Sequence, residues 1–113
     1  MEASRAIGVA NLQLEDWPLD PGQVVAGDPL VRGVILADDG LVQRGVWEHT
    51  PGVSRDVEAD EMFVVLTGRA SIAVDGGPTL EVGPGDVGLL SAGERTVWTV
   101  HETLRKVFQI TTR

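Results

Sequence analysis

Cysteine is absent from this 113-residue chain, and so is tyrosine. Without cysteine there is no disulfide, no thiolate nucleophile, no zinc–thiolate site and no iron–sulfur cluster. Histidine occurs only at His49 and His101, so one chain cannot supply a three-imidazole metal site. Positive charge is scarce as well. Nine basic residues stand against 17 acidic ones, and Lys106 is the single lysine. The resulting net charge of -8 argues against a nucleic-acid backbone or an anionic membrane surface as a partner. No apolar run approaches the ~18 residues of a membrane helix. The start of the chain, Met1-Glu2-Ala3-Ser4-Arg5, lacks the basic and apolar regions of a signal peptide. These features describe a soluble, cytoplasmic protein.

Helical periodicity is missing too. What the chain does have is 14 glycines, six prolines and short β-rich runs between them. The runs are 30–37, 41–49, 61–67, 70–74, 79–82, 87–90, 96–101 and 106–111. Asp38-Asp39-Gly40 and Asp75-Gly76-Gly77-Pro78 read as turns between them. Turn signals at this spacing predict an all-β sandwich or barrel of about ten strands. Residues 1–29 read as an N-terminal arm with one or two edge strands, and 30–113 as the barrel.

Two glycine-punctuated segments are more specific. Glu61-Met-Phe-Val-Val-Leu-Thr-Gly68 carries a Glu, six residues and a Gly. Gly85-Asp86-Val-Gly-Leu-Leu-Ser91-Ala92-Gly93 carries paired turns around a short strand. Together they resemble the two linked motifs of the cupin barrel, a jelly roll, with Ser91 where proline is usual. Gly45-Val46-Trp47, Pro51-Gly52, Trp98-x-Val100-x-Glu102 and Arg105-Lys106 narrow the likeness. They resemble the small single-domain cupins related to ureidoglycine aminohydrolase and the ethanolamine-utilisation cupins. The resemblance implies a homodimer and a cupin barrel. It fixes no activity, because that subgroup is functionally mixed.

The departures from the motif bear on the site. The resemblance makes Glu61 the motif carboxylate. The two preceding histidine positions then fall on Arg55 and Val57, or on Ser54 and Asp56, and the later one on Thr96. Only the carboxylate of four usual metal ligands remains. No cofactor is therefore expected. If a divalent metal were held, His49 and Glu61 would hold it, although a surface or loop-end place is the better expectation for His49.

Strand alternation nominates a pocket lining. Glu61, Phe63 and Val65 share one face, Thr96, Trp98 and Val100 another, and Gly45, Trp47 and His49 a third. His101 has the opposite parity to Thr96 and falls outside. Trp47, Arg55, Phe63, Thr96 and Trp98 are thus candidate ligand-binding residues, with Glu61 the candidate catalytic group. An isolated carboxylate in an apolar barrel is disfavoured when charged, which suits a general acid or base. The alternative is a structural pair with Arg55, Arg44 or Lys106. The acidic run from Asp56 to Glu61 lacks calcium-loop spacing and reads as a solvated loop. Two functions follow: a metal-free barrel binding a small polar metabolite, or a hydrolase, isomerase or lyase using Glu61 as acid/base or metal ligand.

Overall fold

A computed structural model of the chain describes residues 3–112. The β-rich runs pair as nine strands in one curled sheet among these residues. In chain order they are β1 (Glu15–Asp16), β2 (Val24–Ala26), β3 (Val31–Asp38), β4 (Val42–His49), β5 (Gly52–Val57), β6 (Asp60–Val74), β7 (Thr79–Val82), β8 (Val87–Leu90) and β9 (Arg95–Thr111). One 3-10 turn, Pro21–Gln23, precedes β2. No helix among the described residues is long and apolar enough to cross a membrane.

Two long strands organise the sheet. β9 runs against β6 on one edge. Its other edge is shared by β4, opposite 104–111, and β5, opposite 95–100. β6 shares its second edge in the same way between β8 and β7. Every pair is antiparallel. The first 29 residues contribute β1, which borders β3, and β2, which borders β5.

Nine strands replace the expected ten for two reasons. The runs 61–67 and 70–74 belong to one bent strand, and so do 96–101 and 106–111. In addition, β5 occupies part of a stretch that had no apolar alternation and looked like loop. Its six residues are held by backbone pairing with β9 rather than by an apolar face of their own.

The bend in β6 has a local cause. Its register on β9 shifts between Val65 and Ala70. Inward-facing positions are Glu61, Phe63 and Val65 before the shift and Ala70 and Ile72 after it. Such a slip reverses which side chains face the core. Gly68 sits in the middle with φ +86°, and a Cβ there would fall on the Thr103 carbonyl oxygen. Only glycine meets both demands. β9 keeps its parity throughout, so Trp98, Leu104 and Phe108 all enter the core beside Phe63 and Ile72.

Candidate functional site

Lys106 stands at the centre of the sheet, opposite Trp47 on β4 and Val65 on β6. Because β9 holds one parity from Thr96 to Phe108, the lysine points inward with the core residues. Its Nζ donates to Glu61 Oε2 at 2.7 Å. The two side chains are only 5% and 7% exposed. The ammonium also lies 4.3 Å from the ring centre of Trp47 and 4.6 Å from those of Phe63 and Trp98. Taking two charges out of water costs several kcal/mol per ion, to order of magnitude. A direct hydrogen bond and three aromatic faces offset that cost.

Glu58 forms a second buried anchor. It follows β5, where its N–H donates to the Glu94 carbonyl and its own carbonyl accepts from the Gly93 N–H, both at 2.8 Å. Its Oε2 accepts from the Thr96 hydroxyl at 2.6 Å and from the Trp98 indole N–H at 3.0 Å. The residue is 7% exposed, and no basic side chain pairs with it among the described residues.

His49 is fully buried, between Val31 on β3 and Leu104 on β9. His49 is the last residue of β4, at the loop end as expected, but the surface place expected for it is wrong, since β4 is flanked on both sides. A carbonyl only accepts, so Nδ1 carries the proton and donates to the Thr50 oxygen at 2.6 Å. Nε2 then accepts from the Ser54 hydroxyl at 2.9 Å. Burial, followed by the nearby Lys106 charge, pushes the imidazole below its ordinary value of 6.5, against the Thr50 bond. The unfolded chain thus binds a proton before the folded one does. Stability should be complete above about pH 6.5 and fall as the solution is acidified below it. Urea midpoints measured between pH 8 and pH 5 check this, and a His49→Gln variant should flatten that part of the profile.

Lys106, Glu61 and Glu58 line a cavity of about 180 Å³, and His49 lies outside its wall. Trp47, Arg55, Glu61 and Trp98 line it, as the sequence indicated. Phe63 is fully buried and supports Lys106 from below instead of facing the cavity. Thr96 is not on the cavity wall either, and holds Glu58 through its hydroxyl. Lys106 is the partner of Glu61. Arg44 bonds Gln109, and Arg55 stays exposed at the rim without an ion pair among the described residues. His101 lies outside, exposed, 2.9 Å from Ser71 Oγ.

Of the wall residues that were not among the sequence candidates, four show why. Trp17 and Leu19 come from the N-terminal arm, which carries no pattern tying it to the site. The Trp17 ring packs edge-on against Phe108 and over Gly33. With it, all three tryptophans of the chain face the cavity. Asp56 and Glu58 were assigned to a solvated loop. A buried Trp98 N–H needs an acceptor, and that requirement was the available signal for Glu58. Asp56 is exposed along one side, but its carboxyl is drawn into the wall. Lost hydration, then the neighbouring Glu58 charge, pushes it above the usual carboxylate value.

Both candidate metal ligands, His49 and Glu61, are engaged by other groups. Glu61 Oε2 is taken by an ammonium, and both His49 ring nitrogens are engaged. No group of three or more His, Cys, Asp or Glu side chains among the described residues is arranged to hold an ion.

The family model described as the EutQ-like cupin domain matches residues 36–108. No curated protein matches the chain. Among solved structures, a protein of unknown function of the DUF861 family from Pseudomonas syringae pv. tomato is 25% identical, with a TM-score of 0.79. That match covers 89% of this chain and 45% of the other. The Clostridium difficile EutQ protein is 17% identical, with a TM-score of 0.67, over 80% of this chain and 75% of its own. A putative ethanolamine utilization protein from Salmonella typhimurium is 15% identical, with a TM-score of 0.66, over 92% and 98%. These similarities agree with the curled sheet in assigning the fold.

Proposed function

The chain belongs to the EutQ-like cupin domain family, and from that premise we propose that it binds a small polar metabolite in a cavity that works without a metal ion. Lys106 supplies the positive charge at the motif carboxylate. The observation that carries this reading is the buried 2.7 Å contact between Lys106 and Glu61 at the cavity wall. The ammonium there competes with any added cation for the same oxygen. Three indoles and a few convergent polar groups provide the usual make-up of a small-molecule pocket.

Cytoplasmic residence and a homodimer complete the reading. Exposed Met62, Val87 and Leu89 on the outer face of β6 and β8 support the dimer, as does the outer edge of β8, which pairs with no strand among the described residues.

An enzymatic reading has one observation in its favour. Lost hydration and the Glu58 charge push the Asp56 carboxyl upward from its ordinary value at the cavity rim, the direction an acid/base group needs. Asp56 would replace Glu61 in that role, since Glu61 is held by Lys106.

Two measurements on the untagged protein test the proposal. Elemental analysis should find substoichiometric metal even after soaking with iron, manganese, nickel and zinc. Tryptophan fluorescence should respond to at least one member of a library of neutral and charged metabolites. A stoichiometric transition metal would overturn the metal-free site, and silence across the library would overturn the pocket.

A further inference from the structure

We propose that the cavity is selective for a small cation, an ammonium group carried on a short aliphatic body, seated between Glu58 and the indole faces. This rests on the pocket reading above and goes beyond it by fixing the charge of the ligand.

Glu58 carries the argument. Both of its hydrogen bonds, from Thr96 and Trp98, end on Oε2. Oε1 has no partner among the described residues, although the side chain is more than nine-tenths buried and lines the cavity. The two donors are neutral, so the carboxylate is fixed in position and its charge is left unbalanced. Oε1 is not sealed among the packed side chains, so it is open to a partner in the cavity, and in a wall this poor in water a cation is the partner that lowers the cost of the charge most.

The rest of the wall points the same way. Glu61 is already matched by Lys106. Of the charged side chains on the wall, Asp56, Glu58 and Glu61 stand against Arg55 and Lys106. The surplus is one negative charge, which one monocation cancels. Such a cation beside Glu58 would also remove the repulsion that Glu58 exerts on Asp56. Apart from Gln43 and Ser54 the remaining wall is aromatic and aliphatic, and π-faces favour cations over neutral or anionic groups, as Lys106 over Trp47 and Trp98 already shows. At about 180 Å³ the space admits a ligand of a few heavy atoms rather than a nucleotide or an oligosaccharide.

The test uses three probes of one shape, n-butylammonium, n-butanol and butyrate, titrated at constant ionic strength with tryptophan fluorescence as readout. Butylammonium should bind at least tenfold more tightly than either of the others. Glu58→Gln should lose at least tenfold of that affinity, because its amide oxygen still accepts from Thr96 and Trp98 while the charge is gone. Its melting temperature should stay near that of the parent. Butanol binding as well as butylammonium would overturn the charge selectivity while leaving the pocket intact. Butyrate binding best would overturn it in favour of an anion seat on Lys106 or Arg55. Silence from all three, or an unchanged response in Glu58→Gln, would also overturn it. The metabolite library decides the pocket separately.

Discussion

Lys106→Met should destabilise the protein by about 3–5 kcal/mol, the range for removing one partner of a buried ion pair. The methionine fills much of the same volume, so little of the loss comes from a cavity. It comes from Glu61, left charged and buried with Trp47, Phe63 and Trp98 around the vacated position. Glu61→Leu should be costly for the mirror reason, since it strands the ammonium. The informative variant is the double one, Lys106→Met with Glu61→Leu. Removing both charges should recover most of the stability lost in either single variant. Chemical denaturation of the four proteins closes the cycle. A cost under about 1 kcal/mol for each single change would show that the charges reach water, and the burial argument would fail. A fully recovered double variant that no longer binds ligand would show that the pair serves the cavity rather than the barrel's stability.

Gly68→Ala should be comparably severe, at about 3–5 kcal/mol. Two separate penalties combine. A positive φ costs an L-residue about 1–3 kcal/mol. The added methyl must also displace the Thr103 carbonyl, which is backbone rather than a flexible side-chain end. Since β6 reverses its inward parity here, a shifted bend would misplace Glu61 and Phe63 on one side or Ala70 and Ile72 on the other. The expected outcome is a large drop in the denaturation midpoint, or recovery only in the insoluble fraction. Gly76→Ala is the control. It also has positive φ, at +73°, but a Cβ there meets nothing within 4 Å. It should lose only the conformational part. Equal losses at the two sites would remove the collision from the account.

How much of this was legible beforehand can be judged residue by residue. Alternation placed Glu61, Phe63, Thr96 and Trp98 on inward faces, because within one unbroken strand the side-chain period is fixed by the backbone. It failed across breaks. Reading 96–101 and 106–111 as separate strands severed the parity that places Lys106 on the same side as Trp98. With the two joined, the single lysine of the chain becomes a buried group and the partner of Glu61. β5 was hidden because its residues carry no apolar face. Its place depends on hydrogen bonds to β9, which leave no mark on side-chain type. Glu58 and Trp17 were hidden for a related reason. Each is brought to the cavity by tertiary contact, from a loop and from the arm. Whether an inward residue faces open space or packed neighbours is likewise set by the whole wall, which is why Phe63 supports the floor while Trp98 lines the room above it.

The arrangement of β9 has a consequence during synthesis. β4, β5 and β6 leave the ribosome before the strand that joins them has been made, with hydrogen-bonding edges open and apolar faces uncovered. Val42 meets its partner Thr111, and Asp60 meets the same residue, only across long stretches of chain. Closing such separations first and gaining the contacts afterwards makes folding slow, about milliseconds to seconds for barrels of this kind. In that interval the nascent chain exposes strands primed to pair with other molecules. Conservative changes in β9 should therefore lower the soluble yield in cells more than their effect on the purified protein's equilibrium stability would suggest, and co-expressed chaperones should narrow the gap.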